Sequence, residues 1–233
     1  MKITASMVKD LRTKTGAGIM DCKKALVEAE GDMDKAVDIL REKGLSQAAK
    51  KASRVAAEGA VVSAISEDGK TGTIVEVNCE TDFVGSNEDF RALAASIAQQ
   101  IIAVNPADVE ALLASDLNGK TVKDTVTEAV AKIGENISVR RFVRYESAEG
   151  KVYSYIHGGG KIGVLVEVKG GDDELGKDIA MQVAAANPSY LNRTEVPQAE
   201  IEHEKEVLAV EARNEGKPEK IIEKMVLGRI NKY

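Results

Sequence analysis

The sequence has few of the residues on which disulfide-rich and metal-binding proteins depend. Among its 233 residues there are two cysteines, two histidines, three phenylalanines and no tryptophan. Cys22 and Cys79 lie far apart, which predicts small buried side chains and no disulfide framework. His157 and His203 have no cysteine or carboxylate at the spacing of a zinc site. The sequence therefore predicts neither a disulfide-stabilised domain nor a metal site.

Long apolar runs are also missing. No segment approaches the roughly 20 apolar residues that span a bilayer. The first residues, Met1-Lys2-Ile3-Thr4, do not begin the apolar stretch of a signal peptide. We therefore expect a soluble, cytoplasmic protein with no membrane partner. With 43% apolar residues, a chain of this length predicts two or three small domains.

Motifs for nucleotide binding and covalent catalysis are absent as well. Three Gly-Lys pairs begin at Gly69, Gly119 and Gly160, but none has the glycine five positions earlier that a phosphate-binding loop requires. No serine lies in a Gly-x-Ser-x-Gly elbow. The sequence predicts that the chain is not an enzyme, holds no cofactor and binds no nucleotide by itself.

Charge is distributed unevenly along the chain. The net charge is −6, yet residues 1–54 contain 12 lysines and arginines against 8 acidic residues, and the rest contains 20 against 30. A nucleic-acid-binding protein usually has a basic patch and a high isoelectric point, so this balance favours protein partners. The basic first segment could steer an acidic partner surface. The alternative is an ordinary solvated face.

Helical periodicity dominates the first part of the chain. One helix begins after a cap at Thr4 and ends at Gly16, a second follows, and a third opens at Asp32. Residues 48–54 are predicted to be a basic helical linker. Residues 1–54 are thus predicted to form a three-helix head with its linker.

The body of the chain contains an internal duplication. The strand-like segment 70–77 matches 161–168, and the helical segment 97–106 matches 179–188, each helix ending at Asn-Pro. We therefore expect an α+β fold in which each copy forms a small antiparallel sheet covered by helices.

Further strand signals flank the two copies at residues 59–65 and 137–143. Turn signals at Asp68-Gly69 and Gly158-Gly159-Gly160 predict hairpins. The predicted core subdomains span residues 55–140 and 141–196.

The first copy is longer than the second by nine residues. Its strand is offset from the second copy by 91 positions (70 to 161) and its helix by 82 (97 to 179). The excess falls around residues 81–90, a polar segment in which an exposed Phe83 would be costly. Either Phe83 folds back onto its own core, or it protrudes as an anchor for a partner pocket, since interface energy concentrates in a few such side chains.

The last forty residues predict a helical hairpin. Residues 198–214 and 219–232 show apolar positions at helical spacing, and Gly216-Lys217-Pro218 separates them. The segment 197–233 is therefore predicted to be an antiparallel coiled coil. Two roles remain possible for this hairpin: structural support, or an arm that docks on a partner or forms a homodimer.

Several of these strings together resemble the elongation factor Ts family along nearly the whole chain. Residues 15–26 are similar to the N-terminal signature of that family, and residues 77–84 to its second signature. Residues 132–137, 216–218 and 223–225 resemble further family segments. The resemblance implies a ubiquitin-associated-like three-helix head, a duplicated α+β core and a coiled-coil hairpin, in agreement with the patterns above.

The resemblance also implies a cytoplasmic guanine-nucleotide exchange factor for translation elongation. Such a factor binds elongation factor Tu with GDP and promotes GDP release. By resemblance, Asp82 and Phe83 are expected to enter the nucleotide domain of elongation factor Tu near its magnesium site. The other partner contacts implied by resemblance are Thr81, Val84, Met20, Asp21, Lys23 and His157.

Two alternatives from other classes remain open. The basic head, Lys50-Lys51 and Arg140-Arg141 suggest an RNA- or ribosome-associated protein, although the overall acidity argues against it. A hydrolase or transferase would use Cys79 beside Glu80 and Asp82.

The sequence departs from the family pattern at its C-terminal end. The family normally continues past the coiled coil with strands that return to the core, whereas this sequence stops at Tyr233. We therefore expect either a fragment or a shortened form that keeps the partner contacts of the head and the first copy.

Overall fold

The computed structural model describes residues 3–232. Met1, Lys2 and Tyr233, at the ends of the predicted head and hairpin, lie outside the described residues. The chain forms two compact units, Met1–Ala185 and Ala186–Tyr233, and the fold is α+β, as predicted. Within the described residues, no helix combines the length and apolar character needed to cross a bilayer.

Three helices open the first unit: α1 (Ala5–Thr15), α2 (Ile19–Glu28) and α3 (Met33–Lys51). The Thr4 hydroxyl caps α1 and the Asp32 carboxylate caps α3, because each accepts a hydrogen bond from an otherwise unpaired amide of the first turn. The cap at Thr4 and the start of the third helix at Asp32 are as predicted. The helices enclose a small core of Leu11, Cys22, Ala25, Leu26, Ala29 and Ala36.

Two antiparallel sheets follow. The first has the order β1-β2-β3, with strands β1 (Glu58–Ile65), β2 (Thr71–Cys79) and β3 (Ser138–Glu146). The second is the hairpin of β4 (Lys151–His157) and β5 (Ile162–Val168). The strands predicted at 59–65, 70–77, 137–143 and 161–168, and both predicted hairpin turns, are therefore confirmed.

The strand predicted to flank the second copy pairs with the first copy instead. β3 runs across residue 140, where the boundary between the two core subdomains is predicted, and it pairs along β2. The second sheet lies against β1 and β2, and the Val61 amide donates to the Gly160 carbonyl at 2.8 Å. Periodicity finds strands but does not show which strands pair. The domain boundaries themselves stay predictions.

Four further helices contribute to the main core: α4 (Asp82–Gly85), α5 (Glu88–Val104), α6 (Val109–Ala114) and α7 (Val122–Ile133). Helix α8 (Asp173–Ala186) follows β5. Helix α5 packs on β1 and β2, and its Phe90, Ile97 and Ile101 are fully buried. The duplication extends to the backbone, because α5 and α8 are each followed by an asparagine, Asn105 or Asn187, with a φ of 45°.

Part of the predicted helical linker, residues 48–54, belongs to α3 and contacts the core. Residues 48–51 form the last turn of α3, and Ala48 packs against the main core. α3 also packs on α7, where a side-chain carbon added to Gly44 would lie 3.2 Å from the Ala131 methyl group. The head is therefore joined to the core through a close contact between two helices.

The second unit contains the predicted helical hairpin, with α9 (Gln198–Asn214) and α10 (Glu219–Ile230). Ala212, Ile222 and Val226 form its buried seam. Arg213 bonds to Glu219 at 2.8 Å beside the turn that joins the helices. The hairpin is confirmed, and its role as a docking or homodimer arm stays a prediction.

Candidate functional site

Helix α4 occupies the extra residues of the first copy. β2 ends at Cys79 and α5 begins at Glu88, and between them Asp82–Gly85 form one helical turn where the sequence predicts a polar loop. Thr81 begins the turn, because its hydroxyl accepts a hydrogen bond from the Val84 amide at 3.4 Å. The nine-residue excess therefore contains a short helix inserted between a strand and a long helix.

The four residues of the predicted contact motif point in different directions. Phe83 is 84% exposed, so the interpretation in which it folds back onto its own core is wrong. Asp82 is exposed beside it. Thr81 is half-buried, and Val84 packs against the main core. Asp82 and Phe83 therefore form the free surface of α4, and Thr81 and Val84 form its base.

The beginning of α4 is fixed by Glu135, which follows α7. Its carboxylate accepts hydrogen bonds from the Glu80 amide at 3.1 Å, the Thr81 amide at 3.0 Å and the Thr81 hydroxyl at 2.7 Å. In return, the Glu80 carboxylate accepts from the Asn136 amide at 2.7 Å. Glu135 is a residue that sequence reasoning missed, although it lies within the family-like string 132–137. No spacing rule connects it to Thr81.

The end of α4 is fixed by close backbone packing and by Arg91 of α5. A side-chain carbon added to Gly85 would lie 3.1 Å from the Gly59 carbonyl oxygen of β1, so α4 ends directly on a strand. Arg91 Nε donates to the Gly85 carbonyl at 3.0 Å, and Arg91 Nη2 donates to the Gly159 carbonyl. Because Gly159 lies in the turn between β4 and β5, one guanidinium joins α4 to that turn.

His157 is the last residue of β4 and is exposed at the same turn. Its Nδ1 shares a hydrogen bond with the Tyr155 hydroxyl at 2.9 Å. On the other side of the turn, Lys161 bonds to the Glu58 carboxylate. That bond is the main cause that raises the pKa of Lys161, and the charge of Asp82 adds to it. The structure thus brings Asp82, Phe83 and the His157 turn to one end of the core.

The predicted contacts of the head form a second group. Met20 is 61% exposed on α2, and Asp21 and Lys23 are exposed with it. α2 packs against α1 and α3 within the head. Beside these residues lies a shallow depression lined by apolar Ile3, Val8 and Ile19 and by the cations Lys9, Arg12 and Lys23. The head therefore presents an apolar surface with basic side chains around it.

Cys79 is in a poor environment for a nucleophile. It is fully buried, and its Sγ donates to the Thr81 carbonyl at 3.1 Å. Burial, followed by the charge of Glu135, raises the pKa of Cys79 to about 11. Since the thiolate is the reactive form, this site argues against the hydrolase or transferase alternative. Both cysteines are buried and free, as predicted.

We expect Cys79 to resist alkylation in the folded protein. Its side chain is fully buried, and burial raises its pKa to about 11, so little of the reactive thiolate is present at pH 8. Iodoacetamide at pH 8, followed by mass spectrometry of peptides, should label Cys79 in urea and leave it unlabelled in buffer. Rapid labelling of Cys79 in the folded protein would contradict the buried, protonated thiol.

Comparison with known proteins gives a consistent set of relatives. The family model described as "Elongation factor TS" matches residues 80–233. Elongation factor Ts of Clostridium perfringens (strain SM101 / Type A) is 56% identical over 237 residues, covering 99% of this chain and 78% of that protein. The protein of the same name from Clostridium acetobutylicum is 57% identical over 238 residues, with the same coverage. That of Halorhodospira halophila is 53% identical over 233 residues, covering 100% of this chain and 79% of that protein.

Proposed function

The chain belongs to the elongation factor Ts family, and we propose that it acts in translation elongation as the exchange factor that binds elongation factor Tu with GDP and promotes GDP release. It does so in the cytoplasm and without covalent chemistry of its own. The observation that carries this proposal is Phe83, an aromatic side chain 84% exposed on a helical turn fixed at both ends. Such a side chain is a typical central anchor of a protein interface.

The contact surface is built for insertion into a partner. α4 presents Phe83 and the Asp82 carboxylate together, and the His157 turn lies at the same end of the core. We assign the insertion near the magnesium and nucleotide site of elongation factor Tu to Asp82 and Phe83. By holding that site in a shape that favours neither magnesium nor phosphate, the factor weakens GDP binding, and GDP weakens binding of the factor to the same extent.

The head supplies a second contact in this proposal. Met20 gives an exposed apolar centre on α2, with Asp21 and Lys23 beside it. The cations around the neighbouring depression suit a partner surface with acidic residues, which they would attract from a distance. The exposed apolar side chains of the second unit, including Val210 and Leu227, leave the hairpin available as a docking or homodimer arm.

The RNA-binding alternative has less support. Arg140 and Arg141 both pair with Glu76, at 3.0 and 2.7 Å. Lys51 donates to the Gly134 carbonyl. Glu76 offsets the charge of only one of the two arginines, but the chain as a whole carries a net charge of −6, which disfavours phosphate contacts. A protein partner therefore fits the charge distribution better than RNA.

We expect the purified chain to accelerate release of fluorescent GDP from elongation factor Tu in proportion to its concentration, and to bind no GDP itself. The first result follows from the inserted α4, and the second from the absence of a phosphate-binding loop in the sequence. Stopped-flow release and calorimetric titration of the chain alone with GDP measure the two quantities. Unchanged release, or stoichiometric micromolar binding of GDP to the chain alone, would contradict the proposal.

A further inference from the structure

Helix α4 has little means of holding its own shape. It is a single turn of four residues, Asp82–Gly85, and isolated turns of this length are unstable because helix nucleation is unfavourable. Its largest side chain, Phe83, is exposed and contributes almost no burial in the free protein. The position of Phe83 must therefore be set by groups outside α4.

Val84 packs on the main core, and two side chains from outside α4 add to this support: Glu135, which follows α7, and Arg91 of α5. Glu135 accepts three hydrogen bonds at residues 80 and 81, and a carboxylate that receives backbone amides makes stronger bonds than a neutral acceptor does. Arg91 donates to the carbonyl of Gly85 at the other end. Thr81 connects Glu135 to the turn itself, since its hydroxyl donates to Glu135 and accepts from the Val84 amide.

We propose that Glu135 and Arg91 are positioning residues for exchange: they hold α4 in its protruding conformation before elongation factor Tu arrives. Neither needs to touch the partner. Arg91 also fixes the His157 turn to α4 through the Gly159 carbonyl. The two predicted contact elements, α4 and the His157 turn, are therefore held in a fixed arrangement relative to each other. Preorganisation of this kind strengthens binding, because less conformational entropy is lost when the complex forms. This inference rests on the proposed exchange function.

We expect Glu135→Ala to slow catalysed GDP release about tenfold, equivalent to about 1.4 kcal/mol, with Phe83 still present. Glu135→Gln keeps one carbonyl acceptor but loses the charge, so its loss should be smaller. Arg91→Lys keeps the charge but loses the fork that reaches two carbonyls, and should also slow release. The matched control is Glu128→Ala on α7, which removes a carboxylate paired with Lys120 at 2.6 Å and should leave release near the wild-type rate.

A double-mutant cycle separates positioning from general stability. In a Phe83→Ala background, Glu135→Ala should slow GDP release by much less than tenfold, because only the weaker contact, Asp82, is left on α4 to position. A residue that merely stabilised the fold would cause the same tenfold loss in both backgrounds. Wild-type release by Glu135→Ala, or full additivity with Phe83→Ala, would overturn the proposal.

Amide hydrogen exchange of the free chain gives a readout that does not depend on elongation factor Tu. The Gly85 and Ser86 amides bond to the carbonyls of Thr81 and Asp82 at 3.1 and 3.0 Å, so their protection reports whether α4 is formed. Glu135→Ala should speed exchange at these two amides and leave the amides of α5 protected. If the wild-type chain failed to accelerate GDP release, the proposed function would fall, while unchanged exchange in Glu135→Ala would refute the positioning role separately.

Discussion

Phe83→Ala is expected to slow catalysed GDP release from elongation factor Tu while leaving the fold almost unchanged. The side chain is 84% exposed in the free protein, so its removal sacrifices little apolar burial. A central aromatic anchor commonly costs about 2 kcal/mol or more when truncated at an interface, or roughly thirtyfold. Thermal unfolding and fluorescent GDP release should be measured on the same preparation.

Asp82→Ala should show the same pattern more weakly, because a surface carboxylate loses one polar contact and little buried area. The insertion hypothesis fails if Phe83→Ala melts far earlier than the wild type, or if it releases GDP at the wild-type rate. Early melting would indicate a structural role for Phe83, and wild-type release would show that Phe83 is not an anchor at the interface.

Local features of this fold could be read from the sequence, and long-range contacts could not. The structure confirms three predictions that depend on neighbouring residues: the helix start at Asp32, the strand at residues 70–77 and the helix at residues 198–214. The pairing of β3 with β2 depends on residues about 65 positions apart, such as Glu76 and Arg141. Alternating apolar residues specify a strand face but not its partner.

The same distinction applies to the candidate site. The excess length around residues 81–90 and the family resemblance single out Phe83, because both are properties of one segment. Glu135 and Arg91 are recognisable only once the chain has folded, since their bonds to Thr81 and Gly85 cross between separate elements. A carboxylate after a helix and an arginine on a helix are, in the sequence alone, ordinary surface residues.

The attachment of the head illustrates a further limit. Residues 48–54 combine alanines with cations, a composition compatible with either a solvated linker or a helix face. The structure resolves the choice through α7, where Ala131 faces Gly44 and the Gly134 carbonyl accepts from Lys51. The small residues at this crossing allow the two helices to approach closely, and no periodicity in α3 alone could show which helix it meets.

Phe90→Ala is expected to produce the opposite pattern from Phe83→Ala. Phe90 lies in the first turn of α5, is fully buried, and belongs to the main core with residues such as Val75 and Ile97. Truncating a buried phenylalanine removes its transfer free energy and leaves a cavity, which together cost about 3–5 kcal/mol of unfolding free energy. Urea denaturation monitored by circular dichroism should therefore show a midpoint far below that of the wild type.

The two phenylalanines make a matched contrast, because the same substitution is placed on an exposed and on a buried ring in one segment. Phe90→Leu is the conservative control, since it keeps most of the apolar volume and should recover part of the lost stability. GDP release by Phe90→Ala, measured well below its unfolding midpoint, should remain faster than release by Phe83→Ala, because the anchor itself is intact. A Phe90→Ala protein that unfolds at the wild-type urea concentration would contradict the packing of α5 on the first sheet, on which the position of α4 depends.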